Sequence, residues 1–341
     1  NFRNLIINGD MSIAQRGTSQ ANAGLSGGAY QVIDRFKLYN NSLGQFTVSQ
    51  STDVPTGQGF GYSTKWDCTT ADASPSANDY AIHSQTIEGQ MLQQLKKGTS
   101  NAESVALSFW VKSNKTGTYV VELFDLDNSR QISKSYTIDS ASTWEKKTIT
   151  YEGDTTGTIN NDNGSSLHVH IWLGVGSNYN SGTLSNTWTS STNSNRVVGQ
   201  VNLADDTANE WYITGVQLEV GTSASDFEFL PYDVNLRRCQ RYYQQVTSAI
   251  GPNANTTTGR GFGNLVPEMR ASPSYSATDV LGITDGYSAD FAQSSSNIGL
   301  IATDGKSFFI AYGNFSGLTT GRTMFFPRLI QAGEIYADAE L

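Results

Sequence analysis

The chain has 341 residues and carries 22 Lys and Arg against 31 Asp and Glu, a formal net charge of -9 at pH 7. Hydrophobic residues make up 37% of the sequence and charged residues only 16%. This composition favours short strands joined by polar turns over helices, which draw on Glu, Lys and Arg. The length exceeds what one hydrophobic core usually serves, so we expect an all-β protein of two domains.

Charge and hydropathy also exclude several functions. A net negative field repels phosphate groups, so nucleic acid is not expected as a partner. The sequence has no apolar run of about eighteen residues, and its opening (NFRNLIINGD) lacks the apolar core of a signal peptide, so no membrane insertion is expected. Cys68 and Cys239 stand far apart in dissimilar surroundings, which argues against a disulfide scaffold or a thiolate metal site.

Alternation of apolar and polar residues predicts a series of half-buried strands. Residues 105–112 (VALSFWVK) and 119–126 (YVVELFDL) flank the turn residues SNKTGT, so we expect them to pair as an antiparallel hairpin. Further strands are predicted around Ile149, over 167–175 (LHVHIWLGV) and over 210–220 (EWYITGVQLEV). In LHVHIWLGV the alternation places His168, His170 and Trp172 together on the face opposite the apolar residues.

Polar tracts separate these strands and end at a predicted helix. The tracts NNDNGSS from Asn160 and SNYNSGTLSNTWTSSTNSN from Ser177 are expected to be surface loops. The segment DVNLRRCQRYY has apolar residues at helical spacing after Asp233, a potential cap. We therefore divide the chain into a first domain over 1–232, a linker helix over 233–244 and a smaller β domain over 245–341.

Four segments resemble a family of virion proteins of tailed bacteriophages, mostly of the tail fibre type and frequent in phages of aquatic bacteria and cyanobacteria. They are NLIINGDMSIAQRGTS from Asn4, the triplet Asp34-Arg35-Phe36, the strand LSFWVKS, and EWYITGVQLEVGTSASDFEFLPYDVNLRRCQRYY from Glu210. The resemblance covers about the first two thirds of the chain. It implies a jelly-roll sandwich like that of carbohydrate-binding modules, followed by a linker helix and a smaller β-sandwich domain.

The same resemblance implies a place on the virion, at the phage tail or particle surface, with other virion proteins as partners and a homotrimeric assembly. In the second domain VPEMRASPS from Val266 is similar to a family pattern, but Glu268 departs from it. No binding residue is carried over there.

Six aromatic and imidazole side chains are candidates for binding carbohydrate. Trp172, together with Trp110, could stack on sugar rings while His168 and His170 supply hydrogen bonds. The alternative is that this row packs beneath a loop, a neighbouring subunit or the second domain. Tyr179 and Trp188 lie in a Ser/Asn/Thr/Gly tract typical of adaptable binding loops, and the alternative for them is a loop that folds back and buries both rings.

No cofactor, catalytic residue or metal site is expected, with one calcium site left open. Two histidines cannot form a closed zinc site, and only His83 remains as a third. The tract NNDNG from Asn160, with Asp125 and Asp127, could hold a structural calcium or could be an ordinary Asx-rich turn. No H-E-x-x-H or P-loop motif occurs.

The sequence therefore favours a non-enzymatic tail fibre or spike subunit that attaches to a host surface polysaccharide. Two alternatives stay open: a capsid or neck decoration protein without receptor binding, and a polysaccharide depolymerase.

Overall fold

A computed structural model describes the protein over residues 2–25, 27–246, 249–277, 280–284, 290–294, 298–302, 305–312, 318, 320–326 and 335–341. The chain forms two compact units, Asn1–Asn235 with Leu341 and Leu236–Glu340. Across the described part of the chain, no helix has both the length and the hydropathy needed to span a membrane.

The described strands of the first unit follow one another almost without helical interruption. In chain order they are β1 Ser19–Gln20, β2 Ala29–Tyr30, β3 Phe36–Asn41, β4 Gln45–Ser51, β5 Ser63–Thr70, β6 Tyr80–Glu88, β7 Val105–Ser113, β8 Gly117–Asp125, β9 Arg130–Ile138, β10 Glu145–Tyr151, β11 Ser165–Val175, β12 Thr189–Ser190 and β13 Glu210–Val220.

These strands form two antiparallel sheets of a jelly-roll sandwich. The first sheet has the order β1-β4-β5-β13-β7-β10 and the second the order β12-β9-β8-β11-β6-β3-β2. The predicted all-β class is confirmed. The predicted hairpin is wrong, because β7 pairs with β10 and β13 whereas β8 pairs with β9 and β11 in the other sheet. Each of the two strands buries one apolar face, and crossing between the sheets lets both faces contribute to the same core.

The core lies between the sheets and follows the predicted alternation. β7 and β11 turn every second residue inward, and these side chains are buried in one continuous cluster: Val105, Leu107, Phe109, Val111, Leu167, Val169, Ile171 and Leu173. Because successive side chains of a strand point to opposite faces, His168, His170 and Trp172 lie on the outer face of the second sheet.

A helix and a second group of strands follow the jelly roll. Helix α1 spans Tyr232–Gln240, so Asp233 lies in its first turn and the predicted bounds of 233–244 are wrong at both ends. The segment after Gln240 becomes strand β14 (Tyr243–Val246), because Tyr243 pairs with Asp338 of a strand near the carboxyl end. Sequence periodicity could not reveal this distant partner.

The described strands of the second unit form two antiparallel sheets, with the orders β14-β23-β17 and β19-β18-β22-β15-β16-β21-β20. Their bounds are β14 Tyr243–Val246, β15 Ala249–Pro252, β16 Gly259–Asn264, β17 Ser274–Ala277, β18 Val280–Thr284, β19 Asp290–Ser294, β20 Ile298–Ala302, β21 Ser307–Tyr312, β22 Thr323–Phe326 and β23 Ile335–Asp338.

Residues of the opening segment tie the first unit together through buried side-chain amides. Asn4 donates through Nδ2 to the Val216 carbonyl (3.1 Å), and its Oδ1 accepts from the Leu218 amide (3.0 Å). Asn235 donates through Nδ2 to Asp10 Oδ1 and Ser12 Oγ, both at 3.0 Å. The segments that carry the family resemblance therefore stabilise the sandwich through contacts made at the beginning and at the end of the first unit.

Candidate functional site

A pocket opens on the outer face of the second sheet, beside a long loop that we call the covering loop (residues 177–202). β3, β6 and β11 supply its floor and the covering loop supplies its rim. This tyrosine pocket has a volume of about 160 Å³ and is lined by Tyr39, Tyr80, Ile82, His168, His170, Trp172, Tyr179 and Arg196. Four of the six predicted site residues are therefore brought together: His168, His170, Trp172 and Tyr179.

The two histidines form a stacked pair held by β6. Their ring centroids are 4.6 Å apart. Nδ1 of His168 lies 2.7 Å from Thr86 Oγ1, and Nδ1 of His170 lies 2.9 Å from Ser84 Oγ. The antiparallel register places each histidine directly opposite its hydroxyl partner, so the orientation of both rings follows from strand pairing. Each ring keeps its Nε2 without a hydrogen-bond partner among the described residues.

Both imidazoles are neutral at physiological pH. Burial, together with the nearby charges of Lys37 and Arg196, lowers the pKa of His168 to about 4. Burial, the neighbouring His168 and the same two cations hold the pKa of His170 well below its usual range. A neutral imidazole could bind a metal, but the described residues hold no group of three His, Cys, Asp or Glu side chains placed to do so.

Three tyrosines form the accessible aromatic part of the pocket. Tyr80 and Tyr179 meet edge to face with centroids 5.5 Å apart, and both pack on Trp172 at 6.1 and 5.7 Å. Trp172 itself is only 1% exposed, so it packs beneath the covering loop and offers no open ring face. The hydroxyls of Tyr39, Tyr80 and Tyr179 make no hydrogen bond to any described residue.

A buried ion pair fixes the covering loop. Arg196 donates from Nε and Nη2 to the two carboxylate oxygens of Glu122 at 2.8 and 2.7 Å. Its guanidinium also lies 5.0 Å from the Trp172 ring centroid. Next to it, the Val197 amide donates to the Tyr179 carbonyl at 2.9 Å. The loop is thus not merely a surface tract, because it adds a small apolar cluster outside the second sheet.

Trp110 lies on the other side of the sandwich. It projects from β7 on the outer face of the first sheet, where it lines a separate groove with Phe60, Phe227 and Phe229. This groove has a volume of about 390 Å³. Trp110 and Trp172 therefore cannot act on one sugar chain as a single platform.

Trp188 covers a buried cluster of charges at the edge of the sandwich. Its Nε1 donates to the Glu152 carbonyl at 2.7 Å, and the Lys97 ammonium lies 4.7 Å from its ring centroid. Lys97 contacts the buried carboxylates of Asp125 and Asp154. Trp188 is therefore placed to stabilise this cluster and is separate from the tyrosine pocket.

The oxygens considered for calcium are engaged by protein groups. Lys97 contacts Asp125, and Asp127 accepts from the Asn160 amide and side chain at 3.0 and 2.9 Å. Asp162 accepts from the Gly164 amide at 2.9 Å. These contacts are those of Asx turns and an ion pair, which fits the Asx-rich turn rather than the calcium site.

Sequence reasoning did not find Tyr39, Tyr80 or Arg196. Alternation along β3 could have placed Tyr39 on an outer face, since its neighbours Leu38 and Asn40 point the other way. No local pattern connects these strands to β11, because the order of strands in a sheet is not encoded in their spacing.

Comparisons with known proteins give only distant likenesses. No protein-family model matches the chain, and no curated protein matches it significantly. Among solved structures, the enzymatically active domain of tailspike protein 4 of bacteriophage CBA120 is 14% identical over 64% of this chain and 22% of its own, with a TM-score of 0.34. The carbohydrate-binding module TmCBM61, solved with β-1,4-galactotriose, is 11% identical over 64% of this chain and 100% of its own (TM-score 0.32).

A family 11 carbohydrate-binding module of Clostridium thermocellum, solved with a mixed-linked tetrasaccharide, is 11% identical over 61% of this chain and 98% of its own (TM-score 0.28). At TM-scores this low, the likenesses carry no argument about what the protein binds.

Proposed function

We propose that the protein is a non-enzymatic glycan-binding protein and that the tyrosine pocket is its binding site. The observation that carries this proposal is the set of pocket groups that the protein leaves unused: three tyrosine hydroxyls and two imidazole Nε2 atoms, beside partly exposed aromatic rings. A sugar ring presents C–H faces and hydroxyl edges, so it can contact the rings and the polar atoms at the same time.

The rigidity of the pocket supports the same proposal. Strand pairing orients the histidines, and the Arg196–Glu122 pair holds Tyr179 in place through the covering loop. A site that is already formed loses little conformational entropy when a ligand binds. Large aromatic side chains with few rotatable bonds keep that loss small.

We further propose a tail fibre or spike subunit of a phage virion that attaches through this pocket to a host surface polysaccharide, with a homotrimer and other virion proteins as its assembly. This part rests on the sequence resemblance given above. The two alternatives remain a decoration protein, which would not bind glycan, and a depolymerase, which would cleave it.

The test is binding of the fluorescently labelled protein to host cells and to their purified surface polysaccharide. Tyr179→Phe should weaken binding about twofold to tenfold, since it removes one hydroxyl and its hydrogen bond but keeps the ring. Tyr179→Ala should weaken it further. Tyr62→Ala is the matched control, because Tyr62 is an exposed tyrosine (40%) next to β5 of the first sheet.

Binding that survives every pocket substitution would place the site elsewhere, with the Trp110 groove as the next candidate. Folded wild-type protein that binds no glycan would favour the decoration protein. Release of soluble oligosaccharide from the polysaccharide would contradict the non-enzymatic part of the proposal and favour the depolymerase.

A further inference from the structure

The residues that line the tyrosine pocket include no carboxylate. All eight lining residues belong to the described part of the chain. Glu122, which pairs with the lining residue Arg196, is fully buried, and both of its carboxylate oxygens accept from Arg196. A ligand in the pocket therefore meets no negative charge on its walls.

The unused polar atoms of the pocket can all donate hydrogen bonds. Arg196 uses Nε and Nη2 on Glu122, so its Nη1, which can only donate, has no partner among the described residues, and the side chain keeps 14% exposure. Tyrosine hydroxyls can donate, and so can the Nε2 of a neutral histidine whose Nδ1 accepts from a hydroxyl. His168 and His170 both have such a hydroxyl next to Nδ1.

Two cations act on the pocket, and one of them is the Arg196 that is paired with Glu122. Lys37 and Arg196 are the cations whose fields act on His168, beyond the effect of burial, and the same two act on His170. The Lys37 ammonium lies 5.1 Å from the ring centroid of Tyr39, which lines the pocket. A site for a neutral sugar needs acceptors for the sugar hydroxyls as well as donors. Carboxylates are the strongest such acceptors, and among the side chains that line this pocket only the three tyrosine hydroxyls can accept.

We infer that the pocket selects an acidic glycan, one whose sugar units carry a carboxylate, and that Arg196 is the residue that recognises it. The carboxylate accepts from Arg196 Nη1 and from the neighbouring imidazole or tyrosine donors, while the sugar ring contacts the tyrosines. This inference rests on the proposed function, because it names the class of glycan for the same site.

The experiment compares one acidic polysaccharide before and after chemical reduction of its carboxyl groups to hydroxymethyl groups. The two ligands share linkage and chain length, so a difference in affinity reports the carboxylate alone. Calorimetric titration of the full chain should give at least about tenfold tighter binding of the acidic form, since a charge-assisted hydrogen bond is about twice as strong as a neutral one. Raising the salt concentration should shrink this difference.

Arg196→Lys keeps a positive charge but loses the planar fork that reaches Glu122 and the ligand together. It should remove most of the preference for the acidic form, with tryptophan fluorescence reporting that the unit still folds. If this variant does not fold, the wild-type comparison decides alone.

Equal or tighter binding of the reduced polysaccharide would overturn the inference and leave glycan binding intact. Binding of neither form, nor of unrelated neutral polysaccharides, would overturn the proposed function as well. The two failures are therefore distinguishable.

Discussion

Removing the carboxylate of Glu122 tests whether one buried ion pair holds the covering loop. Glu122→Gln keeps the size of the side chain but leaves Arg196 without its counterion. The Glu122 side chain is 0% exposed and that of Arg196 is 14% exposed. Breaking a buried pair typically costs about 3–5 kcal/mol. Because the guanidinium keeps some contact with solvent and also packs on Trp172, we expect the lower end, about 3 kcal/mol of unfolding free energy.

The measurement can be confined to the jelly roll. All six tryptophans lie in the first unit, at positions 66, 110, 144, 172, 188 and 211. Intrinsic tryptophan fluorescence during urea denaturation therefore reports that unit. With an m-value of about 3 kcal/mol/M for a unit of this size, the midpoint should fall by about 1 M.

A double-mutant cycle with Arg196→Gln separates the pair from the effect of either residue alone. Glu103→Gln is the control, because its pair with Lys96 is exposed (39% and 54%) and should contribute less than about 1 kcal/mol. A coupling energy between Glu122 and Arg196 below about 0.5 kcal/mol would refute the reasoning.

Three further predictions use the same denaturation assay. Lys97→Met should destabilise the unit by about 3 kcal/mol, because it leaves the buried Asp125 without its cation while Asp154 keeps its pair with Arg130; an unchanged midpoint would contradict this. Trp172→Ala should cost about 3–5 kcal/mol, and a variant as stable as wild type would show that the ring is not packed.

The pKa of His168 is about 4 in the folded state against 6.5 ordinarily, so between these pH values the unfolded state binds more protons than the folded state. The free energy of unfolding should therefore fall by up to about 3 kcal/mol as the pH drops from about 7 to 4. His168→Gln should make that decline shallower.

Much of the fold could be predicted because strand alternation is a local property. Residues 105–112 and 167–175 both proved to be strands, with the predicted face in the core as far as Leu173. Val175 lies instead in the outer cluster with Trp172, because the pairing with β6 shifts between Trp172 and Gly174. Pairing is not local, and the hairpin prediction failed for that reason. A strand with one apolar face can bury that face in either of two arrangements. It can pair with the next strand of the sequence in the same sheet, or the two strands can lie in opposite sheets and face each other across the core.

The same limit explains the candidate site. Alternation separates inward from outward side chains, but a sandwich has two outward faces and alternation does not tell them apart. The sequence therefore predicts one sugar-binding face for Trp110 and Trp172, although they lie on opposite sheets. Tyr39 and Tyr80 reach the pocket from β3 and β6, which only the sheet order places beside β11. Composition predicts that the covering loop is polar, but it cannot reveal that Arg196 of this loop forms an ion pair with Glu122.

The segments that resemble the phage proteins and the residues of the pocket are almost separate sets. Asn4 and Asn235 belong to those segments and make buried hydrogen bonds that close the sandwich, and Arg35 donates to the Thr86 carbonyl at 2.7 Å beneath the site. By contrast, the accessible pocket residues Tyr39 and Arg196 lie outside them. Because the residues of the resembling segments stabilise the fold, the pocket residues can change without loss of the fold. Proteins that share the segments are therefore expected to share the jelly roll but to differ in their ligands, so the glycan must be tested on this chain and not inferred from its resemblance.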